Sequence, residues 1–574
     1  MPEIPAAGPI TAETVVYPAR LVRTMDPARP TADAVAVRGD RVLAVGTLEE
    51  LAAYHPDRVD DRYADAVLLP GFVEAHSHAS SGGSWDSVYV GRFERTAPDG
   101  RVWPGCDSID AVIERLREAE RQLGDPEEPL RAWGFDPLFF PGETFGAAEL
   151  DRVTTTRPVH LQHASGHICV AGSRLLELAG ISRDTRVEGV VMGPDGEPTG
   201  ELQEFAAMGL VWAVIGGNLM ELSAGSLRAF AQDAVNQGAT TLTDLGSVAL
   251  ARPGGERVYL DTATGDFPAR ISAFHFGSAG ASSVRAEEAV ARIVALAEES
   301  TDLVRFGHVK LMLDGSIQGF TARLLEPGYL GGRPNGIWGM TPEEFEESLT
   351  IFHRAGLLVH VHCNGDQATQ LFIEVMERVL TAFPRPDHRH TVTHSQMTTP
   401  AQYRRMAALG MGANIFANHI WAWGDQHMDV TVGPDRAARM NAARSALDAG
   451  VPVSLHCDTP VTPLGPLKTV QHAVTRRTPS GRVMGTHERI TVDEALRAVT
   501  LGGAFLLKMD HEVGSIEPGK LADLAVLADD PCAVPEDEIG AIRVLGTVVG
   551  GRHHASRVGL PAAAAAPEPV GVGA

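Results

Sequence analysis

The chain has 574 residues, 44% of them hydrophobic and 21% charged, with a formal net charge of −24 at pH 7. That length is too great for one small domain and suits one large barrel with appendages, and the balance is ordinary for a globular enzyme. The acidic surplus excludes non-specific nucleic-acid binding and docking on anionic membranes. The expected partner is a small-molecule substrate, with a homodimer left open as the assembly.

The opening residues, MPEIPAAGPITAETVV, lack the basic start and apolar core of a signal peptide. No stretch approaches the ~20 apolar residues of a membrane span. From about Thr14 to Leu69 the chain runs in short β-type segments, TVVYPARLVRT, ADAVAVRGDRVLAVG and DAVLLPG, with Gly39-Asp40 as a hairpin turn. The far end repeats this style in GSIEPGKLADLAVLAD and IRVLGTVVGGR. Both ends together predict one small β-sandwich domain, residues 1–68 and 513–556.

Between 69 and 512, apolar strand-like runs alternate with helical patterns. ATTLTDLG, RFGHVKLMLDG, GLLVHVHCNGD, RHTVTHSQ, MGANIFANH and GVPVSLHCDTP read as strands. TPEEFEESLTIFHRAG and TPAQYRRMAALG read as helices, the second opening on Thr-Pro and closing on Gly. Repeated β–α order with apolar strands predicts an α/β fold, a closed (β/α)8 barrel of the TIM type. The stretch between His78 and Thr240 is too long for one β–α step and too long to lack structure. It predicts an inserted subdomain over the barrel mouth, about 85–235. The Ala/Pro/Gly-rich tail, 557–574, is expected to be disordered.

Six residues in or ending the apolar runs form a candidate metal set: His76, His78, Lys310, His362, His394 and Asp458. Residues i and i+2 of a strand share a side, so His76 and His78 can grip one cation. Imidazole nitrogen with carboxylate oxygen suits Zn²⁺, Mn²⁺ or Fe²⁺. A cation with an open position lowers the pKa of bound water from about 15.7 to roughly 7, and a nearby carboxylate can carry the released proton. Asp458 is the only acid in the set and takes that catalytic role. An ammonium is a poor ligand and costly to bury. A desolvated Lys310 can instead react with CO₂ to give an anionic carbamate; the plain alternative is a neutral or Asp314-paired lysine beside one metal. Cys363 and Cys457 adjoin proposed ligands, and ligation by them competes with a simpler reading as buried small hydrophobes. The odd, scattered five cysteines, which also include Cys106, Cys169 and Cys532, predict free thiols in the cytoplasm.

The motifs resemble the amidohydrolase superfamily, and within it amidohydrolase family 3, over nearly the whole chain. LLPGFVEAHSH resembles its first-strand motif, VKLMLDGSIQGFTARLLEPGY its lysine motif, VHCNGDQA its His-x-x-Gly-Asp motif and LDAGVPVSLHCDTPVTPLGPL its Asp-x-Pro-Val motif. GPDGEPTGELQE resembles the Gly-Pro-Thr-Gly segment, and GSIEPGKLADLAVL the return to the small sheet domain. The resemblance implies that His76 and His78 bind a first metal beside Asp458, that carboxylated Lys310 bridges, and that His362 and His394 hold a second. Zinc, as one or two ions, is the first candidate. HASGHICVAGSRLLELAGI resembles a segment that would send His167 from the insertion towards the substrate as a catalytic residue, against the alternative of a surface histidine. This chain departs from the pattern at Thr393, which precedes His394 where the family often has Glu, and at Gly172 in place of Asn. It departs again in ANHIWAWGDQH near the seventh strand, whose Trp421 and Trp423 either wall an apolar pocket or pack a long loop on the barrel.

The function implied is a metal-dependent hydrolase of a C–N bond in a small, fairly apolar amide. It would act through hydroxide generated on the metal with Asp458 as proton shuttle, N-substituted formamide deformylation being the nearest activity. The competing readings are hydrolysis of a cyclic amide, ester or carbamate, metal-dependent decarboxylation, and a non-catalytic binding scaffold.

Overall fold

The computed structural model describes residues 12–217, 222–278 and 285–558, so the tail expected to be disordered lies, from 559 on, outside the described residues. Eight parallel strands form the central barrel: β1 Phe72–Glu74, β2 Ala239–Ser247, β3 Arg270–Phe276, β4 Val304–Met312, β5 Leu358–Cys363, β6 Thr391–His394, β7 Gly412–Ile415 and β8 Val453–Leu455. Each pairs with the next in chain order, as in Cys363 opposite His394 and Asn414 opposite Ser454.

Alternation along the strands explains their composition. Val309 and Leu311 of β4, Val359, Val361 and Cys363 of β5, and Leu455 of β8 face outward into the core shared with the surrounding helices. The residues between them point into the bore, and there Lys310, His360, His362 and Ser454 are polar and buried. The ring closes between β8 and β1 through single bonds instead of a regular ladder. Asp458 N–H donates to His76 O at 3.1 Å, His78 N–H to Thr459 O at 3.2 Å, and Cys457 N–H to Glu74 Oε1 at 3.0 Å.

The outer helices start and stop where their caps require. Thr341 and Thr399 accept the N–H groups of Glu344 and Gln402 at the starts of Pro342–Arg354 and Pro400–Leu409, each cap being worth about 1 kcal/mol. Gly410 ends the second helix at φ +69, a conformation that costs glycine nothing. Three histidines at the foot of β5 and β6 are wired in one tautomer each. His388 Nδ1 accepts the His390 N–H (2.9 Å) and its Nε2 donates to Leu409 O (2.7 Å). His390 Nδ1 accepts the Val359 N–H (3.1 Å), and its Nε2 then donates to His353 Nδ1 (3.0 Å).

Both ends of the chain build a second sheet of eight strands. Leu524–Leu527 pairs antiparallel with Val67–Pro70, and Val15, Val35, Leu68, Leu524 and Val548 form its own core. Buried Arg270 at the start of β3 ties it to the barrel, with Nε and Nη2 donating to the two Asp523 oxygens at 2.6 and 3.0 Å.

Between β1 and β2 lies a third sheet of six strands, from Val88–Tyr89 to Pro198–Gln203, with cores around Leu116, Leu130, Leu161 and around Leu175, Leu202, Met208. The expected insertion of 85–235 overreaches at its end. Helix Ala224–Gln237, capped by Ser223 and stopped by Gly238, buries Leu227, Phe230, Ala231 and Ala234 in the barrel core. No helix among the described residues is long and apolar enough to cross a membrane.

Candidate metal centre

All six sequence-selected ligands lie at the C-terminal ends of the barrel strands and line one cavity. His76 and His78 follow β1, and their Nε2 atoms stand 2.8 and 3.5 Å from Asp458 Oδ1, just past β8. His394 Nδ1 lies 3.6 Å from Asp458 Oδ2, and His394 Nε2 lies 2.9 Å from His362 Nδ1. Two groups have ligand atoms all within 4.8 Å of one another: His76, His78 and Asp458, and His394, His456 and Asp458. His362 joins through His394, and Lys310 sits buried in the same bore.

The backbone is strained to achieve this. His394, Ser395 and Asp458 have φ of +72, +51 and +55, a region in which non-glycine residues cost of order 1–3 kcal/mol each. Strict alternation would leave His394 on the outward side with Val392; the left-handed turn swings it into the bore.

The electrostatics fit a cation. His76 Nδ1, Lys310 Nζ, His394 Nδ1 and both nitrogens of His456 are buried without a hydrogen-bond partner, and Asp458 Oδ1 faces the His76 and His78 Nε2 atoms. Such groups cost about 1–3 kcal/mol apiece when nothing answers them, and a divalent ion answers nitrogen and oxygen lone pairs together. Burial holds His76, His362 and His394 well below the ordinary imidazole range, so they are neutral and able to ligate. Burial alone would raise the Asp458 carboxyl, but the imidazoles facing it, with His76 and His78 in hydrogen-bonding position, outweigh burial and hold it well below the usual carboxylate range. Burial pushes the Lys310 amine down to about 7, against the pull of Asp458 and Cys363. Asp314 does not pair with this lysine. It accepts the N–H groups of Arg323, Asn364 and Gly365 at 3.0, 2.9 and 2.8 Å, locking the loops after β4 and β5 together. A Cβ on Gly365 would stand 1.7 Å from Arg323 O, so only glycine admits that approach. Cys363 and Cys457 face outward into the barrel core, outside both ligand groups.

The cavity above these residues has a volume of about 600 Å³. Its apolar wall comes from Trp133, Phe205, Val258, Phe276 and Met312. Trp421 and Trp423 are not in that wall. They hold the insertion to the barrel instead: Trp423 Nε1 donates to Asp136 at 2.8 Å, and Trp421 packs on Phe93 with ring centroids 4.6 Å apart. His167 arrives from the insertion, its ring 5.3 Å from that of His362, and its Nδ1 lies 2.9 Å from Glu204 Oε2. Burial opposes a charge on His167, but Glu204 outweighs it and raises the imidazole. Sequence reasoning passed over His456 and Glu204. The first could have been found by the i, i+2 argument that selected His76 and His78; the second carries no local signal.

A model described as the amidohydrolase family matches residues 64–554, and residues 34–57 match an imidazolonepropionase-like composite domain of bacteria. The protein LONG AFTER FAR-RED 3 of Arabidopsis thaliana is 28% identical over 92% of this chain and 89% of its own length. N-substituted formamide deformylase of Arthrobacter pascens is 28% identical over 94% of this chain and 97% of its own. The crystal structure of an uncharacterized metal-dependent hydrolase from Pyrococcus horikoshii superimposes with a TM-score of 0.68 at 20% identity, covering 91% of this chain and 99% of that one. The family match spans most of the sequence and takes in all six candidate positions, and the chain belongs to the amidohydrolase family.

Proposed function

We propose that this protein is a metal-dependent hydrolase of an amide-type C–N bond in a small, mostly apolar substrate. The observation that carries this is the convergence of buried, unanswered nitrogen atoms and the Asp458 carboxylate on the floor of an apolar cavity. His76, His78 and Asp458 would hold one divalent cation, with zinc the first candidate. His362, His394 and Lys310 extend the same floor and offer a second position. A divalent cation bound there would supply an acidified water, with a pKa of roughly 7, and polarise a carbonyl.

The chain's own residues do the rest. Asp458 Oδ takes the proton of the attacking water and passes it to the departing amine. Neutral Lys310 would add to CO₂, forming an Nζ–C bond and releasing one proton, and the resulting carbamate, one negative charge shared by two oxygens, would be able to hold a cation there. His167, charged by Glu204, donates to the substrate from the insertion side. The apolar wall excludes water and selects an apolar amine or acyl portion. A relative that bears the name of a formamide deformylase supports the bond type.

A panel of N-substituted formamides, other amides, lactams and esters, run with added Zn²⁺ and with Mn²⁺, tests the reading alongside elemental analysis. Hydrolysis of an amide by wild-type protein is expected, with metal and activity both lost in His76→Ala and in His78→Ala. Full activity in either variant would overturn it.

A further inference from the structure

His456 is wholly buried in the bore, one turn of the alternation below Asp458. Its backbone N–H donates to Ile415 O at 3.1 Å, which fixes its height, and the Phe416 ring stacks on its imidazole with centroids 4.7 Å apart. Both ring nitrogens lack a partner. That state alone does not mark a ligand, since His160 and His275 share it. What separates His456 is its company. Its ring lies 4.8 Å from that of His76 and 5.1 Å from that of His394, and its ligand atom stands within 4.8 Å of those of His394 and Asp458. Metal–nitrogen bonds of 2.0–2.1 Å put tetrahedral ligand atoms about 3.3 Å apart. The 4.8 Å bound on this group is wider than that spacing, so ligation requires the side chains to close in on the ion.

We infer that His456 is itself a direct ligand of the cation beside Asp458, so that the site is built from two i, i+2 pairs facing each other across the β1–β8 seam: His76 with His78, and His456 with Asp458. The inference rests on the metal reading of the site and goes beyond the six residues chosen from sequence. Its consequence is a donor set of three imidazoles and one carboxylate, richer in nitrogen than the sequence suggested, and a water beside them would make the ion five-coordinate. Such a set favours zinc over magnesium or calcium, which prefer oxygen.

The test uses full-length protein stripped of metal and reloaded. His456→Phe keeps the ring and its stacking on Phe416 but removes both nitrogens; His456→Gln is the second variant should the first fail to fold by circular dichroism. Zinc affinity is measured by chelator competition, and ligand number by the visible spectrum of the Co²⁺-loaded protein. Loss of a ligand should weaken zinc by more than about 100-fold, beyond the 10–100-fold typical of a residue that only buttresses a ligand, and should alter the Co²⁺ spectrum. A smaller loss with an unchanged Co²⁺ spectrum overturns the inference. His76→Ala is the control that separates the two readings. If it too keeps its zinc, the metal centre itself is wrong; if it loses zinc while His456→Phe does not, only the role of His456 falls.

Discussion

Acid should destabilise this protein through histidines that have nothing to do with catalysis, and His388 gives the cleanest case. Its Nδ1 lone pair is already used by the His390 N–H, and its Nε2 hydrogen by Leu409 O. A second proton would eject the His390 donor. Burial accordingly holds the ring down at about 4, against about 6.5 in an unfolded chain. The folded value is the depressed one, so the stabilisation is complete above pH 6.5 and is lost as pH falls towards 4. At pH 8 neither state is protonated. At pH 5 the unfolded ring is almost wholly charged and the folded one almost wholly neutral, which favours unfolding by a factor of about 30, or about 2 kcal/mol. His388→Asn removes the titration while leaving an oxygen near the place of Nδ1 to accept from His390. Chemical denaturation of metal-free protein at pH 8 and pH 5 keeps ligand protonation common to both chains. Wild type should lose about 2 kcal/mol more than the variant between the two pH values. Equal losses, within about 0.5 kcal/mol, would refute the reasoning, whatever the variant costs at pH 8.

Lys310→Ala should lose most activity and at least one metal equivalent by elemental analysis, and acetate should restore part of both; Lys310→Arg should not be rescued, because a guanidinium fills the space and stays cationic. Glu204→Gln removes the carboxylate that raises His167, so His167 should titrate at lower pH by NMR and the alkaline limb of the activity profile should move down with it. An unmoved His167 resonance would disprove that coupling. Asp523→Ala strands the buried Arg270 guanidinium and should cost about 3–5 kcal/mol in denaturation, whereas replacing both partners by leucine should cost far less.

Much of this was legible in the chain because the signals were local. Strand alternation put Lys310 and His362 in the bore, and His76-Ser-His78 announces a shared side by spacing alone. Thr-Pro starts and a terminal glycine marked the helices, since caps are chemistry of a few neighbouring residues. What escaped depends on distance in space. Trp421 and Trp423 can face a cavity or a neighbouring domain, and only the position of Asp136 and Phe93 decides between them. Helix Ala224–Gln237 has an amphipathic face that either the insertion or the barrel could cover. Glu204 matters through one contact with His167, which no spacing encodes. His394 reaches the bore by a left-handed backbone turn that alternation argues against.

The seam where the barrel closes is also where the cation would sit, and this bears on how the enzyme is made. Glu74 Oε1 receives the Cys457 N–H at 3.0 Å across 383 residues of chain. Contacts of such long range form late, because the loop between them must first be ordered. A ribosome has therefore released most of the polypeptide before the first and last strands can meet. A nascent or truncated chain holds His76 and His78 but no Asp458, and such a fragment would have neither its full grip on the metal nor its proton carrier. Catalytic competence in this protein would then serve as a readout of finished synthesis: the reactive centre comes into being only when the fold has been completed end to end.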